Sequence, residues 1–315
     1  MTEQQSSAEE EPNELVRTQD FETSAPIEID IGNSSGTIRV ELADTELTHV
    51  EVRHDPSAGG MDWRGGISGL LNWVTEQFGE SGLRPGSVDV GRRLQSEPFA
   101  EAVRQTRIDL TGSRLAVRSP ASGPLRGIPL EITIKAPLDS QLGVHTDSGK
   151  VAVSGAVSRL QLRSGSGEVI VDEVTGTASA RTGSGQMRLG TMRSGVQARS
   201  GSGDVEIGAL EAASSVVTGS GNVWLGEVHN DVLVRSGSGD ITVADAAKGQ
   251  VELITGSGEL QVSIRRGVLA EVDLTSSTGS ASSDLPVADE PPEEEPKLRI
   301  FGRTGNGDVL VGSAM

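Results

Sequence analysis

The chain has 315 residues and a net charge of −18, with 41 glycines, no cysteine and no tyrosine. The missing thiols exclude disulfides, thiolate catalysis and thiolate metal sites, and the acidity disfavours nucleic acid, whose phosphates need cations. Aromatics at 2% leave a core of Val, Leu, Ile and Ala, which suits a thin interior built of many small layers.

Residues 1–14 hold five acids and no base, which predicts a solvated, disordered acidic tail over 1–20. The start lacks the basic residues and apolar run of a signal peptide. No stretch reaches the ~18 consecutive apolar residues of a membrane span. The expectation is a cytoplasmic protein that meets a membrane only through a partner.

From residue 21 the chain alternates. Ile27, Ile29 and Ile31 recur at period two, "SSG" ends at Gly36, Ile38 and Val40 follow, and Val50 and Val52 mark a return strand. Residues 55–106 break this pattern. Within them Trp63, Ile67, Leu70, Leu71, Val74 and Phe78 fall at helical spacing, which predicts an amphipathic helix over about 62–79. That helix caps the fold or binds a partner, with Trp63, Leu70, Leu71, Trp73 and Phe78 as candidate partner-binding residues. Alternation resumes in "RIDLTGSRLAVRS" and "IPLEITIKAPLDSQLGVHTDSG".

From Asp147 the sequence repeats. "GSG" recurs at eighteen-residue intervals in "GSGEVIVDEVTGTASART", "GSGQMRLGTMRSGVQARS", "GSGDVEIGALEAASSVVT" and "GSGNVWLGEVHNDVLVRS", and the later units lengthen. The fifth position is apolar in every unit (Val151, Val169, Met187, Val205, Val223, Ile241, Leu260). So is the seventh (Val153, Val171, Leu189, Ile207, Leu225, Val243, Val262), with polar or variable residues between them. That is a strand with one buried face. A second alternating run ends each unit, followed by a hydroxyl column of Ser164, Thr182, Ser200, Thr218, Ser236 and Thr255. A corner spelled alike once per turn requires a chain that coils with constant circumference. The prediction is an all-β, single-chain β-solenoid of ~18-residue coils. It would span 21–315, interrupted by the 55–106 insertion with its one helix and by an acidic, Pro-rich loop over 284–297. Its last coil, "GNGDVLVGSAM", would lie uncovered and free to pair end to end with another copy.

"SGTIRV", "LEITIKAP", "TDSGKVAVSG" and the serial "GSGDV"-like corners together resemble a bacterial β-strand-repeat family labelled putative adhesin, or toastrack-like domain, over most of 21–315. The resemblance implies a solenoid-like fold and no established enzymatic activity. It also implies a link to membrane segments or envelope-stress modules. It carries no functional residues over.

The motifs for chemistry are weak. His49, His54, His145 and His229 are scattered, without metal-ligand spacing. The glycine corners lack the Lys-Ser/Thr of a phosphate loop. The fourth column (Lys150, Glu168, Gln186, Asp204, Asn222, Asp240, Glu259) is too irregular for repeated calcium sites. No catalytic residue, metal or cofactor is expected. Two surface features remain: Trp224, outward by parity and able to stack on a sugar or partner, and a column of Arg163, Arg181, Arg199 and Arg235. Stacked like charges repel unless answered, either by fourth-column acids or by an anionic ligand. The reading is a non-enzymatic scaffold that presents side-chain ladders to a protein or cell-envelope polymer and self-associates end to end. The alternative is a carbohydrate-active or ligand-binding enzyme with a site on the solenoid flank or near the insertion.

Overall fold

The computed structural model describes residues 16–58, 98–285 and 295–314. The regular coils run through paired arms: β8 (Arg159–Ser166) and β9 (Val169–Val174), β10 (Ala178–Ser184) and β11 (Met187–Met192), β12 (Val196–Ser200) and β13 (Val205–Leu210). The series continues with β14 (Ser214–Ser220) and β15 (Val223–Val228), β16 (Val232–Ser238) and β17 (Ile241–Ala246), then β18 (Gly249–Ser257) and β19 (Leu260–Ile264). Each arm pairs in parallel with the same arm of the next coil, as in Met187↔Val205↔Val223↔Ile241 on one side and Ala178↔Val196 on the other. The fold is therefore the expected all-β solenoid, with two parallel sheets enclosing one apolar core.

The inward columns explain why the coil closes. Leu160 and Leu162 of one arm, with Val169 and Val171 of the other, are buried, and so are their counterparts up the regular coils except Ser214, which is half-buried. Volumes compensate within a coil. Where one arm offers only Ala178 and Ala180, the other supplies Met187, Leu189 and Met192, all buried, so the interior stays filled at near-constant width. A third buried column, Val157, Val174, Met192, Leu210, Val228, Ala246 and Ile264, escapes period-two reading. The strand pattern there runs buried, intermediate, buried, exposed, intermediate, buried, so one extra residue shifts the parity before the last inward side chain.

The corners are held by close approach. A Cβ on Gly203 would stand 2.0 Å from the carbonyl oxygen of Gly185 one coil below, and one on Gly201 2.4 Å from that of Gly183. Both glycines of the tripeptide are thus demanded by the neighbouring backbone. At Gly185, φ is +125° as well, a conformation costly for other residues. Inside the bend, the buried Ser200 hydroxyl donates to Gly203 O and accepts from Gly203 N, both at 2.9 Å. Thr255 and Thr304 likewise donate to Gly239 O and Gly258 O at 3.1 and 3.0 Å. Along the hydroxyl column Ser164, Thr182, Ser200, Ser236 and Thr255 each donate to a carbonyl of the bend, while the Thr218 hydroxyl is buried without a partner.

The ends depart from simple stacking. The remaining strands are β1 (Val16–Glu22), β2 (Glu28–Ala43), β3 (Leu47–His54), β4 (Arg107–Thr111), β5 (Arg114–Arg118), β6 (Leu130–Pro137) and β7 (Gln141–Val157), with β20 (Ala270–Ser276), β21 (Ala281–Ser283), β22 (Leu298–Asn306) and β23 (Val309–Ser313). β2 forms a whole coil that lies between the β5/β6 coil and the β7 coil. The link from β6 to β7 therefore steps over it, and buried Ser140 in that link accepts a hydrogen bond from Ile27 N at 3.0 Å. The other end repeats the device. The β22/β23 coil lies between β18/β19 and β20/β21. This corrects the expectation of an uncovered last coil: the final coil in sequence is clamped on both sides, and 270–283 is outermost. Beyond β5 and β6 the first end finishes in antiparallel strands, β4 on one arm and β3 then β1 on the other.

Two expectations need amendment. The disordered tail was expected through residue 20, but 16–20 belong to β1, paired along its length with β3; residues 1–15 lie outside the described residues. The expected helix over 62–79 also lies outside them. The helix that is described, α1, spans 98–105 and buries Ala100, Ala102 and Val103. No described helix is long and apolar enough to cross a membrane.

Removal of the whole unit 201–218 should leave a folded, shorter solenoid by circular dichroism and thermal unfolding, whereas removal of nine residues should abolish cooperative unfolding because the strand faces fall out of phase. Gly203→Ala should cost more than about 2 kcal/mol in chemical denaturation, since the contact it creates is with backbone that cannot move aside.

Candidate functional site: an unpaired arginine column and a corner groove

The two sheets present different outer faces. On the arm that carries β9, β11 and β13, charges answer one another. Lys150 and Arg188 contact Glu168 at 2.8 and 3.0 Å, and Arg188 reaches Glu206 at 3.3 Å. Arg193 bridges Glu173 and Glu211 at 2.5 and 3.3 Å, and Arg265 bridges Asp245 and Glu227 at 2.5 and 3.1 Å. The hydrogen bond from Lys150, aided by Arg188, holds Glu168 below the usual carboxylate range. Bonds from His229 and Arg265 do the same for Glu227.

The opposite arm carries the arginine column. Arg163, Arg181 and Arg199 pair in direct register, followed by Val217, Arg235, Ile254 and Arg303. Neighbours in such a parallel stack stand about 4.8 Å apart. His145 lies in register below Arg163. Arg163, Arg181, Arg199 and Arg235 are exposed, and the ion pairs among the described residues include none of them. Beside Arg163, Arg181 and Arg199 the adjacent outward column is neutral (Gln161, Ser179, Gln197 and Ser215); toward the second end it continues through Leu233 to Glu252 and Phe301. Toward the two ends this face is answered: Arg114 and Arg118 contact Asp30, His145 approaches Asp147 at 3.8 Å, and Arg299 contacts Glu271 at 3.3 Å.

The fourth-column acids do not serve as partners for the arginines. Asp204 Oδ1 accepts from Asn222 N at 2.8 Å, Asn222 Oδ1 from Asp240 N at 2.9 Å, and Asp240 Oδ1 from Glu259 N at 2.8 Å. Each short carboxyl or amide caps the next coil's backbone, so its acceptor is already engaged. Trp224 is 41% exposed but sits on the other sheet, between Glu206 and Thr242, and is not brought to the arginines. Trp63, Leu70, Leu71, Trp73 and Phe78 lie outside the described residues. Arg303, missed in the sequence reading, was signalled by "RTGNG", a variant of the "RSGSG" spelling at the other corners.

A second feature is a groove of about 1250 Å³ along the corner edge of the first coils, lined among others by Thr37, His54, Asp55, Phe99, Arg126 and Asp147. The His54 ring lies 4.0 Å from that of Phe99, and burial pulls its pKa down against the opposing charge of Asp55. Asp55 is 2% exposed. Burial would raise its pKa, but hydrogen bonds from Ser57 and Thr37 outweigh it and leave the pKa lowered. Thr37 Oγ1 donates at 2.7 Å, and Ser57 donates from N at 3.0 Å and from Oγ at 2.5 Å. The sequence signal was "DPS", an aspartate closing a turn on the residue two ahead. Asp147 is engaged by Arg126 at 2.9 Å. Every carboxylate around this groove is already bonded, and Asp55 and Glu168 are both lowered, away from the range of a general acid at neutral pH. Among the described residues no cluster of three His, Asp or Glu could hold a metal ion.

Asp55→Ala strands the Thr37 hydroxyl and Ser57 N–H and should cost about 2 kcal/mol by denaturant titration. Because folding lowers the Asp55 pKa, its contribution is full at neutral pH and is lost as pH falls from the ordinary aspartate range through the lowered value. The wild type should therefore lose stability faster than the variant on acidification.

No curated protein matches this chain. Among solved structures it is similar to a "putative adhesin" from Bacteroides fragilis, at 13% identity over 95% of this chain and 98% of that one, with a TM-score of 0.45. It is also similar to a "putative cell adhesion protein" from Clostridium sporogenes, at 9% identity over 95% and 98%, TM-score 0.21. A "putative lipid binding protein" from Parabacteroides distasonis follows at 12% identity over 96% of each chain, TM-score 0.27. The family model described as Toastrack DUF4097 matches residues 130–313, the stretch that holds every regular coil, and the chain belongs to that family.

Proposed function

We propose that the protein is a non-enzymatic binding scaffold whose arginine-bearing sheet holds an extended anionic polymer, such as a cell-envelope polymer, along the solenoid axis. One observation carries this reading. Arg163, Arg181 and Arg199 stand in register with no acidic partner and a neutral column beside them, while the arginines of the opposite sheet are neutralised within the chain. Stacked cations repel at this spacing, so the face is poised for charge that arrives from outside. Guanidinium forks suit phosphate and carboxylate oxygens and shed water readily. The overall charge of −18 does not forbid this, because salt screens charges beyond ~8 Å at physiological ionic strength and leaves the local column to decide. The groove near His54 offers no free carboxylate, since Asp55, Asp147 and Glu168 are all bonded within the chain.

Binding to inorganic polyphosphate and to a carboxylate polymer, followed by fluorescence anisotropy across a salt series, tests the reading. Arg163→Gln/Arg181→Gln/Arg199→Gln should lose at least about tenfold in affinity, equivalent to ~1.4 kcal/mol, with a shallower salt dependence. Arg193→Gln on the opposite sheet should bind as wild type. Equal binding by the triple variant and the wild type, or no binding by either, would sink the proposal.

A further inference from the structure

The face that carries the arginines changes character along its length. From Arg199 onward the column alternates between charged and apolar side chains: Arg199, Val217, Arg235, Ile254, Arg303. The column beside it turns from Ser215 to Leu233, then to Glu252 and Phe301. Val217 is 37% exposed. Leu233, Ile254 and Phe301 are half-buried, although all four lie at outward positions, which on a water-facing sheet are ordinarily polar. A cleft of about 190 Å³ opens in this stretch, lined by Gln250, Glu252, Ile254, Phe301 and Arg303. Glu252 stands in register with Phe301, and Ile254 with Arg303. Neither Glu252 nor Arg303 takes part in an ion pair among the described residues. The cleft thus brings together a phenyl ring, an amide, a carboxylate and a guanidinium, with both charges uncommitted. It is smaller than the ~300–1,000 Å³ of a small-molecule pocket, so it suits one ring of a longer ligand.

We propose that the polymer held on this face is an acidic glycan laid one ring per coil, and that Gln250, Glu252, Phe301 and Arg303 seat one of its rings. This rests on the polymer-binding reading and narrows it to a ligand class. Pitch, charge and apolar surface each favour a glycan over a bare polyanion. Coils rise by about 4.8 Å, close to the rise of one pyranose ring in an extended chain and wider than that of one phosphate in polyphosphate. Glu252 repels a ligand that carries only negative charge. Hydroxyls between the charges of a glycan donate to it instead, and a hydrogen bond to an ionised acceptor is the stronger kind. Val217, Leu233, Ile254 and Phe301 offer apolar surface to the C–H faces of sugar rings, and polyphosphate has nothing to set against them. The exposed guanidiniums take the carboxylates between those contacts. Six pairings separate Arg163 from Arg303, a length of about 29 Å, so a chain of about seven rings spans the column.

Fluorescence anisotropy with labelled oligouronates of graded length tests this, with linear polyphosphate and a neutral glucan oligosaccharide as comparisons. Affinity for the oligouronates should rise with length up to about seven rings, one per coil, and the neutral glucan should not bind. Phe301→Ala should lose about tenfold in affinity for the longest oligouronate, while its polyphosphate binding and its thermal unfolding stay those of the wild type. Phe301→Tyr, which keeps the ring, should bind as wild type. Equal losses for both polymers in Phe301→Ala, a loss for neither, or an affinity that stops rising within the first few rings would overturn the proposal. Polyphosphate bound through the arginines with no oligouronate bound would end this inference and leave the polymer-binding reading standing, whereas binding of neither would end both.

Discussion

Everything in this molecule depends on how closely the backbones of successive corners approach. At each bend the carbonyl oxygen of one glycine occupies the space in which the next glycine's Cβ would otherwise sit, as between Gly185 and Gly203. That contact sets the vertical spacing and, because it recurs at one fixed point per turn, it also sets the register of both sheets. Once the register is fixed, the inward columns must stack residue on residue, and so must the outward ones. The apolar core and the arginine column are two consequences of the same geometric condition.

That condition also separates structural charge from available charge. A fourth-column Asp or Asn next to the corner faces the backbone N–H of the coil above, and in Asp204, Asn222 and Asp240 the carbonyl or carboxyl oxygen is spent there. On the β9-bearing sheet, long side chains of opposite sign fall within reach across one or two coils, and Arg188 and Arg193 each bridge two glutamates. On the other sheet the positions flanking Arg163, Arg181 and Arg199 hold Gln and Ser. No acid is near enough to answer them, and their charge stays turned to solvent.

How much of this could be read beforehand depended on the range of the interactions. The fifth and seventh columns and the hydroxyl column follow from local alternation and an eighteen-residue period, and all are buried as that pattern requires. The column through Val174, Met192 and Leu210 was hidden because an added residue breaks the parity within the strand. Period alone could not reveal which coil neighbours which at the ends. β2 and β22/β23 spell ordinary coils, and their placement one level inward is decided by long-range pairing that leaves no local mark. The groove at Asp55 depends on contacts among residues 37, 54–57, 99 and 126, which are distant in sequence; only the Asp-Pro-Ser turn was written locally. The arginine column was legible as a column, but its lack of partners was not, because parity says which side a residue faces and not what lies beside it.

The inward placement of β2 and β22/β23 bears on how the solenoid would come apart. In a simple stack the first and last coils of the chain are also the outermost, so a pulling force or a processive unfoldase could strip them one at a time from an end. Here a tug from the carboxyl side engages β23, gripped by β19 and β21, and a tug from the amino side peels β1 from β3 and then meets β2, gripped between the β5/β6 coil and the β7 coil. Two ladders must rupture together before any coil is released. The fold resists mechanical extraction through its order of threading, with no disulfide to fasten it.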